Sequence, residues 1–249
     1  MYWGPIQPKS EENEKELEIH PGVIDMPKDE LMLASCSYIL GNIYGFKKSV
    51  EKGMAVDRDG QYIPLYTYPT IEYLRQFDLS KKVVFEFGGG ASTLYWMERA
   101  EKVYTVENNA KWYEKLKAMV NNNVELLYAA GEQFPKVIKS IGGRLDLIVV
   151  DGAGYRYDCA RFAVECLSDN GVIILDNADW HPNTAKMLKN SGLLQVDMYG
   201  FKPTESHTST TSLFLKRNFD FPTRQTKQPA FGWGAKELHS DDWDKQLLD

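Results

Sequence analysis

The sequence predicts an α/β protein: a doubly wound, mostly parallel seven-stranded sheet with one antiparallel late strand, preceded by an N-terminal helical extension. Three observations lead there. After Asp78, short apolar runs alternate with helix-period segments for more than half of the chain, the pattern of βαβ units. Leu145 to Val150 is almost wholly apolar, which suits a strand covered on both faces. The last two strand-like runs are joined by too few residues for a parallel crossover, so they pair antiparallel.

Taken in order, residues 1 to 27 are polar and broken by proline, with an acidic run at Glu11, Glu12, Glu14, Glu16 and Glu18 that reads as a loose arm. Lys28 to Leu40 predicts a helical lid or flap. At Pro69-Thr70 the threonine is placed to cap a helix carrying Ile71, Leu74 and Phe77. Val83 to Phe87, Val103 to Val106, Val124 to Ala129, Leu145 to Val150 and Val172 to Leu175 read as five parallel strands. Between them, helices are expected over Ser92 to Ala100, on the face marked by Trp112, Leu116, Met119 and Val120, on that of Phe134, Val137, Ile138 and Ile141, and over Asp158 to Leu167. Leu193 to Tyr199 and Thr211 to Lys216 form the late pair. The resulting division is an arm and helical cap over 1–64, a ligand-binding domain over 65–217 and a tail over 218–249, in which Trp233 and Trp243 are docking points.

Composition narrows the function. The 249 residues are 43% apolar and 26% charged, enough for one sizeable core, and carry a net charge of −6 with both signs mixed. No basic excess marks a phosphate-tracking surface, so nucleic acid is not the expected partner. There is no run of about 18 apolar residues, and the start lacks the charged and apolar regions of a signal peptide, so a cytoplasmic protein that does not enter a membrane is expected. The three cysteines, Cys36, Cys159 and Cys166, form no CxxC pair; Cys159 and Cys166, seven apart, read as two small core residues.

The chemistry begins at Phe85-Glu86-Phe87-Gly88-Gly89-Gly90-Ala91-Ser92-Thr93, between the first strand and its helix. Glycines there let a ligand approach the backbone, and the helix start offers free N–H groups. Glu107 ends the second strand, 19 residues beyond Gly88, where a carboxylate accepts the hydroxyls of a ribose. The third glycine of a dinucleotide fingerprint would fall at Thr93. Glu86 would also set an anion beside a pyrophosphate, which is unfavourable. A cofactor with a cationic amino-acid end suits that carboxylate better.

Over roughly residues 65 to 217 the chain resembles the class I S-adenosylmethionine-dependent methyltransferases, with their Rossmann-like sheet. The resemblance is carried by Glu86, Gly88 and Gly90, by Glu107, by Gly131-Glu132 after the third strand, by Asp151-Gly152 after the fourth and by the late hairpin. The phrases Tyr66-Thr67-Tyr68-Pro69-Thr70 and Gly90 to Trp96 look like a bacterial branch of unassigned substrate. The resemblance implies that Glu86, Gly88, Gly89, Gly90, Ser92 and Thr93 face the methionine part, Glu107 with Asn108 holds the ribose, Glu132 lies near the adenine, and Asp151 borders the cofactor.

The acceptor side is read from the ends of the fourth and fifth strands, because ligands in such sheets gather at the carboxyl edge. Asp151 and Asp176 stand there, with His181 and His207 as bases suited to neutral pH. Asp151, Asp176 and Asn177 either bind one Mg²⁺ or another divalent cation together, as in the similar catechol-type O-methyltransferases, or the last two cap a turn. The lysine which that family carries three residues after the first Asp is replaced here by Gly154. The expected reaction is methyl transfer to a small-molecule or sugar-like acceptor. Oxygen is favoured, since the Asn/Asp-Pro-Pro-aromatic motif of many amino-directed relatives is missing. Two rivals stand beside it: an aminopropyltransferase using decarboxylated S-adenosylmethionine, whose Asp-Ser-x-Asp-Pro motif is not matched by Asp151 to Tyr155, and a non-catalytic cofactor-binding scaffold.

Overall fold

The computed structural model describes residues 27–237 and Gln246. The acidic run at Glu11 to Glu18 and the docking point at Trp243 lie outside the described residues. Seven strands form one sheet: β1 (Val83–Phe87), β2 (Lys102–Glu107), β3 (Val124–Tyr128), β4 (Leu145–Val150), β5 (Leu167–Leu175), β6 (Leu194–Phe201) and β7 (Thr208–Leu215). Their order is β3-β2-β1-β4-β5-β7-β6. β1 pairs parallel with β2 and β4, β2 with β3, and β4 with β5, while β7 runs antiparallel to both β5 and β6. The expected Rossmann-like, mostly parallel sheet with one reversed late strand is therefore present. Strand order reverses between β1 and β4, and a crevice opens outside the carboxyl ends at such a switch point.

The elements packed on the sheet are α1 (Lys28–Tyr38), running into a π-turn at Ile39–Ile43, then α2 (Phe46–Lys52), α3 (Tyr68–Arg75), α4 (Ala91–Met97), α5 (Ala110–Lys117), α6 (Arg156–Cys166) and α7 (Pro182–Asn190), with 3₁₀ segments at Gly131–Ser140 and Ala178–Trp180. Alternate strand residues face opposite sides. Val84, Leu147, Val149, Ile174 and Leu213 meet Ile71, Leu74, Tyr95 and Trp96 on one side. Phe85, Phe87, Ile148, Val150 and Phe214 meet Phe134, Ile138, Cys159, Ala163 and Leu188 on the other. Each fully buried apolar side chain of this kind is worth about 1.5–3 kcal/mol relative to exposure.

Several expectations need correction. Thr70 does not cap its helix: Thr67 is the N-cap, and Thr70 lies buried in the first turn with its hydroxyl 2.8 Å from that of Thr67. Phe77 lies beyond the last turn of α3. The segment after β3 is 3₁₀ rather than α-helical because Pro135 sits inside it and lacks the N–H an α-turn needs. β5 starts five residues earlier than expected, the hairpin connection shrinks to residues 202–207, and α7 occupies a stretch not read as an element.

α1 is helical as expected but buries no side chain. The tail runs back along α3. Phe219 and Phe221 stack on Phe77, the Asp78 N–H donates to the Pro222 carbonyl at 2.8 Å, and Trp233 packs on Tyr44 under the Arg75 guanidinium. Cys159 is buried and all three cysteines are free. Among the described residues no helix is long and apolar enough to cross a membrane.

Candidate active site at the carboxyl edge of the sheet

The glycine turn after β1 is shaped by contact. Gly88 sits at φ +86°, and a Cβ there would lie 2.7 Å from the Gly152 Cα, so the turns after β1 and β4 meet backbone to backbone. A Cβ on Gly89 would collide with Leu116 and Thr105, whereas one on Gly90 would meet only the Ser92 hydroxyl, at an ordinary 3.9 Å. The Trp112 indole N–H donates to the Gly89 carbonyl at 2.6 Å and fixes the turn from α5. Thr93 accepts from the Gly90 N–H at 3.0 Å, and Ser92 and Thr93 are buried beneath it.

Glu86 is fully buried at the end of β1. Its Oε2 accepts from the hydroxyls of Thr93 at 2.5 Å and Thr105 at 3.1 Å, while Oε1 has no partner. Burial pushes the carboxyl up to about 7; hydroxyls from Ser92, Thr93 and Thr105 pull the other way, and Glu107 adds a smaller upward push. A buried acid with one oxygen unsatisfied calls for a donor from outside the chain. An ammonium group fits that requirement, and the residues present therefore fit a cofactor with an amino-acid end.

Glu107 is also buried, and it holds the neighbouring turns. Its Oε2 accepts from the Gly89 N–H at 3.0 Å, and its Oε1 from the Asn108 and Asn109 N–H groups at 2.9 and 2.7 Å. Of a carboxylate's roughly four lone-pair positions, three are filled, which leaves one for a ligand hydroxyl. Asn108 ties this corner to the turn after β4, donating from Nδ2 to the Ala153 carbonyl at 3.1 Å. Glu132 stands apart: it is exposed in the first turn of its 3₁₀ segment, 3.9 Å from Lys136.

At the ends of β4 and β5 one arginine joins the two strands. Arg156 donates from Nη2 to Asp151 Oδ1 at 2.9 Å and to the Asp151 carbonyl at 3.2 Å, from Nε to the Gly152 carbonyl at 3.0 Å, and from Nη1 to the Asp176 carbonyl. Burial and the neighbouring Asp176 raise the Asp151 carboxyl well above the ordinary range, against the pull of Arg156 and Lys202. Asp176 is 1% exposed, and both of its oxygens are taken: Lys202 Nζ lies 2.6 Å from Oδ2, and the Thr211 hydroxyl donates to Oδ1 at 2.7 Å. The Asn177 amide, turned so that both ends are satisfied, donates to Asp176 Oδ2 at 2.9 Å and accepts from Lys202 at 3.2 Å.

Lys202 is the residue that sequence reasoning missed. It follows β6, is buried to 1%, and also faces Glu205 at 3.8 Å. Glycine stands three residues after Asp151, yet a lysine reaches this edge from the hairpin. One signal was available, since Lys202 is the only lysine or arginine between Asn190 and Lys216.

These pairings correct the metal reading. Asp151, Asp176 and Asn177 do converge, but a divalent ion would have to displace Arg156 from one carboxylate and Lys202 from the other. The donor set does not fit the ion, and the described residues contain no group of three or more His, Cys, Asp or Glu able to hold one. EDTA is therefore expected to leave turnover unchanged; a rate lost in EDTA and restored by Mg²⁺ would contradict this arrangement.

His181 caps the start of α7, half-buried, with its pKa lowered by burial and by Arg156 against the opposing pull of Asp179 and Asp176. Its imidazole is neutral at pH 7 and able to take a proton. His207 is exposed, 3.5 Å from Glu205. His181, Tyr155 and Arg156 line a cleft of about 890 Å³ between the starts of α6 and α7. Tyr155, Asn177 and Thr204 all hold left-handed backbone conformations at this edge, each costing about 1–3 kcal/mol and characteristic of sites where geometry is imposed.

No family model and no curated protein matches the sequence. Among solved structures the chain is similar to a precorrin-6y C5,15-methyltransferase from Geobacter metallireducens, at 18% identity over 67% of this chain and 96% of that one, with a TM-score of 0.49. It is also similar to a spermidine synthase bound to a transition-state analogue, at 14% identity over 63% and 60% of the two chains, with a TM-score of 0.46. A precorrin 8w decarboxylase from Methanobacterium thermoautotrophicum is 17% identical over 66% of this chain and 97% of its own, with a TM-score of 0.45.

Proposed function

We propose that the chain is an S-adenosylmethionine-dependent methyltransferase that acts at an oxygen of a small-molecule or sugar-like acceptor. The observation that carries this reading is Glu86: a carboxylate sealed inside the sheet edge with one oxygen unpaired, beside a glycine turn whose outer member, Gly90, is the least crowded of the three. When bound, the cofactor would supply an electrophilic methyl group on a sulfonium, open to in-line displacement by an acceptor lone pair.

The chain's own residues do the rest. Glu86 receives the cofactor's ammonium group, and the turn at Gly88 to Gly90 with Ser92 and Thr93 forms the wall beside it. Glu107 accepts a ribose hydroxyl through its remaining lone pair, with Asn108 alongside. Glu132, exposed on the neighbouring segment, is the candidate for the adenine end. His181 takes the acceptor's proton, and Asp151, fixed by Arg156, orients the acceptor. Asp176 is buried with both oxygens engaged, so it acts by holding Lys202 and the hairpin in place. The catalytic unit spans 65–217, with 1–64 and 218–249 as flanking segments. A chain of net charge −6 with three free cysteines supports a cytoplasmic protein that does not bind nucleic acid.

Calorimetric titration with S-adenosylhomocysteine, NAD and decarboxylated S-adenosylmethionine tests the reading. Only the first is expected to bind tightly. Glu107→Gln should weaken it by roughly 10- to 100-fold, the scale of a lost hydrogen bond to a charged group. Preferential binding of NAD overturns the assignment. Cofactor binding without transfer of a labelled methyl group to any component of a cell extract would favour the scaffold.

A further inference from the structure

The cleft between the starts of α6 and α7 lies beside the Asp151–Arg156 pair, and its 890 Å³ falls within the range of ligand sites. Three large aromatic side chains stand in its lining and remain open to solvent: Tyr155 at 46%, Tyr157 at 48% and Trp180 at 61% exposure. Asn183 and Asn190, near the two ends of α7, also line the cleft and offer both donors and acceptors.

The charges of the lining are as telling. No aspartate or glutamate lines the cleft, and Asp151 beside it is paired with Arg156, so a cationic acceptor such as a polyamine finds no unpaired counter-charge there. Arg156 is spent on Gly152, Asp151 and Asp176. Lys186 is the other cation of the lining and makes no ion pair among the described residues. One such charge in a chain of net −6 does not track a phosphate backbone. A purely hydrocarbon ligand would leave the amides of Asn183 and Asn190 unpaired.

A pyranose ring has an apolar face of C–H groups and a rim of hydroxyls, matching exposed rings set among amides. We propose that this cleft binds a saccharide acceptor, with a sugar ring laid on the aromatic rim and one hydroxyl turned toward His181. The inference rests on the methyltransferase reading and names the acceptor of that same site. Transfer is balanced when the hydroxyl oxygen gains the methyl, the sulfonium sulfur keeps the bonding pair, and the proton passes to His181.

Saturation-transfer NMR on the full chain with S-adenosylhomocysteine tests it. The probes are the methyl pyranosides of glucose, galactose, mannose, N-acetylglucosamine and rhamnose, with putrescine, catechol and a short single-stranded RNA as comparators. At least one pyranoside is expected to show saturation of its ring protons, and Trp180→Ala should weaken it by roughly five- to tenfold, the size of one ring contact. Because Trp180 is exposed, cofactor affinity and melting temperature should not move. The proposal is overturned if no pyranoside binds, if a comparator binds in their place, or if Trp180→Ala leaves pyranoside binding unaltered. Failure of S-adenosylhomocysteine itself to bind, read separately by calorimetry, would strike the methyltransferase reading instead.

Discussion

Replacing Lys202 with alanine is expected to lower the melting temperature by roughly 10 °C, the shift that follows from leaving one buried charge without its partner in a chain of this length. Asp176 and Lys202 are each about 1% exposed, and their 2.6 Å contact is backed by Thr211 and Asn177. Removing the ammonium strands a carboxylate in a medium that solvates it poorly, at a cost of about 3–5 kcal/mol. Removing both charges removes the cause, so Lys202→Met combined with Asp176→Leu should recover most of the loss. Thermal melts of the parent, single and double variants decide the matter. If the single variant melts with the parent, or the double melts no higher than the single, the pair is not what holds the hairpin to β5.

Glu86→Gln is expected to do two opposite things. The folded chain holds the Glu86 proton up to about pH 7, whereas an exposed glutamate releases it near 4.5. Between those values the folded state binds more protons than the unfolded one, so this residue's contribution to stability falls as pH rises and levels off above 7. Glutamine cannot ionise, so the variant free of ligand should be more stable than the parent at pH 8, by up to about 3 kcal/mol, and nearly equal to it at pH 4.5. Its cofactor affinity should nevertheless fall at least tenfold, because the charge that meets the ammonium group is gone. In the parent, affinity for S-adenosylhomocysteine should rise from pH 6 to 8 as Glu86 ionises. Melts at several pH values together with calorimetry check both halves. A variant less stable than the parent at pH 8, or one binding as tightly, would remove Glu86 from this role.

The parts of the fold that were legible are those whose signal is local. β4 is apolar but for Asp146 because both of its faces are covered, and Gly88 and Gly89 are glycine because side chains there would strike Gly152, Leu116 and Thr105. The convergence of Asp151, Asp176 and Asn177 followed from topology, since all three leave adjacent strands at one edge. Their partners did not. Lys202 meets Asp176 across 26 residues, a pairing set by hairpin register, which no local pattern encodes. Read without its cation, the acidic pair looked like a metal site. α7 was missed because it is short and polar, burying only Thr184 and Leu188. Thr67 and Thr70 both precede the apolar run, and only the backbone turn at Pro69 decides which of them begins the helix.

The Thr67 N–H donates to the Thr211 hydroxyl at 3.0 Å, and that hydroxyl donates on to Asp176. The same threonine reaches the Met198 carbonyl of β6 through its own hydroxyl at 2.9 Å. The lead-in to α3 is thereby sewn to the far rim of the sheet, so exchange of material between homologues has a natural seam just upstream of Thr67. Grafts joined before that seam leave the stitching whole, whereas grafts joined after it must bring compatible residues at both 67 and 211.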